Sequence, residues 1–201
     1  MPKRSADESS RESAVGGSRR VPPGQRVVEN LAVLDLGVRP AFDPATWRFT
    51  VRGEVENPLT FTWQEFLALP TAERIADFHC VTGWSRLDNR WEGVLFGTLA
   101  EVARPRPDCV SAMIESMDRY TTSMPLDVLM DDDVLFAYRL DAEPLPPDHG
   151  GPLRLVVPKR YAYKSAKWAV GLTFLTRHQP GYWEKRGYGD SADPWKEERY
   201  A

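Results

Sequence analysis

Apolar positions are scarce over residues 1 to about 26, where Ser, Arg, Glu and Gly dominate, and become frequent from VVENLAVLDLG (27–37) onward. A stretch with so little to bury cannot offset the entropy of ordering its backbone, so 1–26 reads as a disordered N-terminal tail and 27–201 as the folded domain. WRFTVRGEV then alternates with a period of two: Trp47, Phe49 and Val51 share one face and Arg48, Thr50 and Arg52 the other, the pattern of a half-buried strand. In LTFTWQEFLALP, Thr62 is followed three positions later by Glu65, a capping box that starts a short helix. Trp63, Phe66 and Leu67 form its apolar stripe, and Pro70 ends it. FGTLAEVARP repeats the spacing with Thr98 and Glu101 and stops at Pro105. Between these helices RIADFHCV reads as a strand that delivers Cys80 to the loop at its C-terminal end. Further strands are expected at 109–116, 134–140, 153–157 and 168–175, with a short helix at 125–130. Short strands and short helices joined by Pro- and Gly-rich loops do not fit a regular βαβ repeat; they predict an α+β fold built on a mixed sheet.

Composition narrows the function classes. A chain of 201 residues with 42% hydrophobic content suffices for one well-buried core. A formal charge of -3, with Lys and Arg spread along the chain, gives no basis for binding nucleic acid or a membrane surface. The expected partner is a small molecule or a protein. Two cysteines are too few for a disulfide framework, no secretory apolar region is visible, and no run approaches the length of a membrane span. Arg19-Arg20 is followed by Val-Pro-Pro-Gly-Gln-Arg rather than an apolar stretch, so a twin-arginine signal is rejected. These features together point to the cytoplasm.

Two constellations carry chemistry. In ADFHCVTGWSRLDNRW, Cys80 closes an apolar run and is followed by a Gly that permits a sharp turn, a placement that exposes a sulfur at a strand end. A lone cysteine is commonly a small buried hydrophobe. A cysteine hydrolase with His79, His149 or His178 as base is a second reading, although adjacent strand residues face opposite sides and His79 is poorly placed for it. A zinc site has no ligand spacing to support it. The second constellation is DHGGPLRLVVPKRYAYKSAKW (148–168), which places His149, Arg154, Lys159, Arg160, Lys164, Ser165 and Lys167 around one apolar strand. Charges flanking a strand are often a solvated face. Arg with a planar fork, Lys with a point charge and Ser with a hydroxyl also make a phosphate clamp. A soft sulfur ligand and a phosphate clamp are both needed by one kind of ligand, a pterin dithiolene carrying molybdenum.

FHCVTGWS, WEGVLFGTLAEVA, YTTSMPL, LFAYRLDAEPLPPDHGGPLRLVVPKRYAYKSAKW and PGYWEKRGYGDSADPWKEERY, in this order from about Val27 to the C-terminus, resemble the molybdopterin-dependent oxidoreductases of the sulfite oxidase fold. The resemblance implies molybdenum-molybdopterin as cofactor and Cys80 as the protein thiolate on the metal. It implies that His149 and Arg154 hold the pterin, that Ser165 and Lys167 contribute phosphate and pterin contacts, and that Asn30 and Ser116 are further cofactor contacts.

The departures redirect the substrate. Sulfite oxidases follow the metal-ligating Cys with Ala-Gly-Asn-Arg-Arg, whereas here the run is Val81-Thr82-Gly83-Trp84-Ser85; a second substrate arginine is replaced at Leu34 or Asp35. Losing charge-assisted hydrogen bonds disfavours a dianion. The Cys-Val-x-x-Trp-Ser pattern is closer to the molybdenum-type methionine-sulfoxide reductase catalytic subunit, an exported protein. The expected activity is oxygen-atom transfer, reducing a small-molecule or protein-bound S-oxide or N-oxide, with electrons from a separate carrier. The alternative is a non-catalytic pterin-binding or protein-interaction module that retains the fold.

Overall fold

The structure, a computed structural model, describes residues 20–201, and the described chain forms two sheets. The first contains β1 (Arg26–Val27), β4 (Ala72–Cys80), β5 (Trp84–Leu95), β8 (Leu135–Leu140), β9 (Glu143–Pro144) and β10 (Arg154–Val156). Its order is β1-β5-β8-β10, with β4 antiparallel along β5 and β9 beside β8; β1 alone runs parallel to its neighbour. The second sheet, ordered β3-β2-β11-β6-β7, joins β2 (Arg48–Gly53), β3 (Leu59–Thr62), β6 (Ser111–Ser116), β7 (Thr121–Pro125) and β11 (Ala169–Leu175). Here β2 and β11 are parallel, with Gly171 opposite Thr50, and the other pairs antiparallel. Two mixed sheets with short helices make this an α+β fold, as the pattern predicts.

The alternation read from 47–52 sets β2 in place. Trp47, Phe49 and Val51 are buried, whereas Arg48 and Arg52 are exposed. Phe49 meets Phe66 and Phe136 at ring-centroid distances of 5.2 and 5.0 Å, so this face anchors the main core. A smaller cluster of Phe78, Cys80, Trp84, Trp91 and Val156 lies within the first sheet's elements, next to the site described below.

The pattern misses β5, the longest strand. Ser85 to Arg90 is mostly polar, with no alternation to mark a strand, and Asp88 has a left-handed φ of 55°. The strand survives because its polar residue is satisfied: buried Asn89 donates to the carbonyls of Ala76 and Arg86 at 3.0 and 2.8 Å and accepts from the Arg86 guanidinium.

Helix α1 (Trp63–Leu67) has the expected capping box, with Thr62 Oγ1 accepting from the Glu65 N–H and the Glu65 carboxylate accepting from the Thr62 N–H. Phe66 is its buried residue, and Leu67 of the expected stripe is exposed because the helix is only one turn long. The second capping box is corrected. Helix α2 (Phe96–Ala103) starts two residues before Thr98, with Leu95 at the cap and no side-chain cap bond. Burial of Phe96, Leu99, Ala100 and Ala103 sets its register, and the Phe96 N–H donates to the Val134 carbonyl. It ends at Arg104, whose φ of 53° is left-handed, one residue before Pro105. A third helix, α3 (Leu126–Leu129), lies inside the expected 125–130.

Of the expected tail, residues 1–19 lie outside the described residues. Residues 20–26 lie against the first sheet. Arg20 pairs with Asp77 and Asp88 at 2.6 Å each, and β1 adds to β5 opposite Trp84 and Ser85. These contacts are polar and main-chain, which is why a scan for apolar burial does not find them.

Backbone approach tests the packing of β5 against β8. A Cβ at Gly93 would lie 2.0 Å from the Phe136 carbonyl oxygen, whereas one at Gly97 would meet nothing closer than 4.0 Å. Gly93→Ala is therefore expected to prevent soluble expression or to lower the unfolding free energy severely. Gly97→Ala should leave it unchanged or raise it by up to about 1 kcal/mol through helix propensity, as read by denaturant titration.

Candidate functional site

The β4–β5 hairpin carries the sulfur. Cys80 pairs with Trp84 across a loop of Val81, Thr82 and Gly83, closed by the Gly83 N–H donating to the Cys80 carbonyl at 3.0 Å. Gly83 has φ 94°, so the left-handed residue that ends a three-residue hairpin loop is supplied by glycine. Both chain ends brace this turn: Gln25 Nε2 donates to the Cys80 carbonyl at 3.0 Å, and the Arg199 guanidinium donates to the Val81 carbonyl. Cys80 is a buried free thiol facing a cavity, with Sγ 3.1 Å from Thr82 Oγ1. His79 turns the other way, as strand alternation requires; its Nδ1 is 2.8 Å from Ser85 Oγ and its ring packs on Trp195.

The second constellation splits in two. Lys159 is exposed and pairs with Asp131 and Asp133, and Arg160 points to no part of the cavity. Lys164 is fully buried in an ion pair with Glu184 and Asp190. These three are structural or solvated. Arg154, His149, Ser165 and Lys167 all reach the cavity that holds Cys80. The Arg154 fork spans two loops, donating to the His149 carbonyl at 2.8 Å and to the Ser165 carbonyl at 2.9 Å, with a longer contact to the Leu155 carbonyl. Its plane sits over Phe78 and Trp91. With five N–H donors, it keeps two free. Lys167 Nζ donates to the Asp148 carbonyl at 2.6 Å. Ser165 Oγ accepts from the Val157 N–H at 3.0 Å, leaving its own proton to give.

Among the described residues neither Arg154 nor Lys167 has a carboxylate within ion-pair distance. Burial presses the Arg154 guanidinium well below its ordinary value. Burial and the neighbouring Arg154 charge bring Lys167 down to about 8. Burial, with both cations nearby, also lowers His149, keeping the imidazole neutral near pH 7. An apolar-walled cavity with two incompletely matched cations is built for an anion.

The cavity, about 320 Å³, lies where the chain crosses from β10 of the first sheet to β11 of the second. Of the seven residues expected at the site, five line it. Asn30 is exposed and outside the lining, although Leu31 beside it faces in. Ser116 is buried with its hydroxyl unpartnered and is not among the lining residues, although Asp118, two residues on, is. Sequence reasoning missed Asp118, Tyr120, Tyr163 and Tyr188. For Tyr163 and Tyr188 the signal is the density of tyrosines toward the C-terminus; Asp118 and Tyr120 give none. Its carboxyl is raised by burial and accepts the Tyr120 N–H at 3.0 Å.

These residues fit molybdopterin. Among the described residues no three His, Cys, Asp or Glu side chains gather to hold a metal, so a metal at Cys80 must bring most of its ligands with it. A dithiolene would do that, and Arg154 and Lys167, without ion pairs among the described residues, would suit its phosphate.

Comparison with known proteins agrees. Residues 36–183 match the family model described as the oxidoreductase molybdopterin binding domain. The chain is 41% identical over 184 residues to the uncharacterized oxidoreductase YuiH of Bacillus subtilis, spanning 91% of this chain and 93% of that protein. It is 30% identical to the protein-methionine-sulfoxide reductase catalytic subunit MsrP of Campylobacter jejuni, over 71% of this chain and 54% of the relative, so it spans about half of that protein's length. The fold is shared with the sulfane dehydrogenase SoxCD of Paracoccus pantotrophus, at a TM-score of 0.65 and 23% identity, over 74% of this chain and 42% of that one.

Two outcomes follow from the unpaired charge. Arg154→Lys, which keeps a charge but loses the fork, should be purified largely without pterin, as measured by fluorescence of the released cofactor. Full occupancy in both Arg154→Ala and Lys167→Ala would show that the cavity's anion is not held by these cations. In cofactor-free protein Lys167 binds its proton less tightly folded than unfolded. Its destabilising effect is complete below about 8 and is relieved as pH rises toward 10.5. Over that interval Tm should climb more in the parent than in Lys167→Met.

Proposed function

This chain belongs to the oxidoreductase molybdopterin binding domain family, and from that premise we propose that it reduces S-oxides, with Cys80 as the thiolate on molybdenum. The observation that carries this reading is the cavity that Cys80 lines together with two cations lacking a carboxylate at ion-pair distance among the described residues, while the turn beside the sulfur, Val81-Thr82-Gly83-Trp84, carries no charged side chain. The names of its methionine-sulfoxide reductase relatives support the substrate class.

Arg154, Lys167, Ser165 and His149 would hold the cofactor: the cations take its phosphate, the Ser165 hydroxyl donates, and neutral His149 offers a ring nitrogen. Bound there, molybdopterin supplies oxygen-atom transfer coupled to a two-electron change at the metal. The chain's own residues prepare the surroundings. The Gly83 turn aims the sulfur into the cavity, and Trp84 and Trp168 exclude water from it. Asp118 keeps a proton to higher pH than an ordinary carboxylate and faces the same space, a source for one of the two protons that turn an S-oxide into a thioether and water. The two electrons come from a separate carrier. Among the described residues no helix is long and apolar enough to cross a membrane. We place the reaction in a reducing compartment, the reading that two free thiols support.

Sulfite is disfavoured because the arginines that could rebuild an anion site are engaged. Arg86 donates to the Glu29 carbonyl, to Asn89 and to Asp141. Arg39 is held by Asp35 and Asp148, and Arg177 borders a separate small hollow. The test is elemental analysis for molybdenum, followed by side-by-side steady-state assays of sulfite oxidation and of sulfoxide and N-oxide reduction with an artificial electron donor. Sulfoxide reduction should dominate and vanish in Cys80→Ser, whereas Cys109→Ala, whose thiol donates only to the Glu54 carbonyl, should keep full activity. Efficient sulfite oxidation that disappears in Arg86→Ala would overturn the substrate assignment.

A further inference from the structure

We propose that Thr82 is a positioning residue for the metal-bound sulfur: its hydroxyl donates a hydrogen bond to the Cys80 thiolate, fixing the direction of the sulfur and drawing electron density from it. The inference rests on the reading of Cys80 as metal ligand. Thr82 Oγ1 lies 3.1 Å from Cys80 Sγ, both side chains face the cavity, and the hydroxyl makes no other hydrogen bond among the described residues. In the free thiol either atom could donate. A thiolate on a metal has no proton, so the hydroxyl is then the donor and the bond becomes charge-assisted.

The backbone prepares this contact. Thr82 is the middle residue of a loop of three, closed by the Gly83 N–H and held by Gln25 at the Cys80 carbonyl and by Arg199 at the Val81 carbonyl. These bonds hold the loop backbone, so the hydroxyl can leave the sulfur only by turning the Thr82 side chain itself. Branching at Cβ limits the rotamers of the threonine, so its donor is better aimed than a serine's. Hydrogen bonds to a ligating sulfur weaken its donation and favour the reduced metal. In an enzyme that must accept two electrons before it can reduce an oxide, this bond eases loading.

Thr82→Val removes the hydroxyl and keeps the branched shape, so the turn should fold as before; Thr82→Ser keeps the hydroxyl. The readouts are molybdenum and pterin content and the midpoint potential of the paramagnetic one-electron state, followed by redox titration with electron paramagnetic resonance. Thr82→Val should retain metal and pterin while its potential falls by the equivalent of a threefold to tenfold change in the one-electron equilibrium constant, at most about 59 mV. Thr82→Ser should recover most of that shift. Equal potentials in the parent and in Thr82→Val, at full metal content, would overturn the role of Thr82 and leave Cys80 as ligand. A paramagnetic spectrum that is unchanged in Cys80→Ser would overturn the ligand assignment itself, and the Thr82 bond with it.

Discussion

Burying the Arg154 guanidinium and the Lys167 ammonium in one cavity raises the energy of the empty fold, because each loses hydration and neither gains a carboxylate at ion-pair distance among the described residues; Asp35 and Asp148 offset only part of the cost at Lys167. The carbonyls of His149, Ser165 and Asp148 meet only part of their donor capacity. A multiply charged anion would repay the rest, and in the proposed reading cofactor binding and folding would then be linked through these two side chains. The same donors also tie the 146–152 loop to the segment between β10 and β11. A change at Arg154 therefore loosens the loops that shape the pocket as well as removing charge from it.

The sulfur end of the cavity follows a different logic. The turn itself, Val81-Thr82-Gly83, carries no charged side chain; order comes from a tight hairpin loop whose carbonyls are taken up by Gln25 and Arg199, far from it in sequence. Gln25 lies before the first long strand and Arg199 two residues from the C-terminus, yet both close on the loop carrying Cys80. Arg199 also stacks its guanidinium over the Tyr161 ring. In the proposed reading these two segments would do for the thiolate what the buried cations would do for the phosphate: they hold in place the turn that carries it.

Much of this was legible in the sequence wherever one residue type has one physical reason to be where it is. The alternation around Phe49, the Thr62 capping box, the apolar run ending at Cys80 and the Gly83 turn each report a local constraint, and each stands as read. The second capping box failed because core burial of Phe96 outweighed a cap at Thr98. Strand β5 was hidden because its middle is polar, and only the partner strand reveals that Asn89 is satisfied. Arg154 and Lys164 look alike in sequence, two basic residues beside an apolar strand; what separates them is Glu184, far along the chain, which neutralises Lys164 and leaves Arg154 for the cavity. Asp118 was illegible for the same reason: its place in the wall depends on the β6–β7 turn meeting the loop after β10.

The remaining contrast, between an anionic and a neutral substrate, comes down to what each would leave unpaired. A charge-assisted hydrogen bond is worth about 1.5–3 kcal/mol, so a site lacking two of them holds a dianion weaker by roughly two to four powers of ten at 1.4 kcal/mol per power. Turning Arg86 inward to replace one would require it to give up the Glu29 carbonyl, Asn89 and Asp141 together, and Asn89 would then be left buried with an unsatisfied acceptor in the middle of β5. The proposed neutral S-oxide would need none of this. It would cost less to desolvate than a dianion, and Leu34 and Trp84 offer apolar wall for its substituents. The residues that forfeit the anion are thus the same ones that favour a thioether oxide, and a return to sulfite would need a strand repaired as well as an arginine moved.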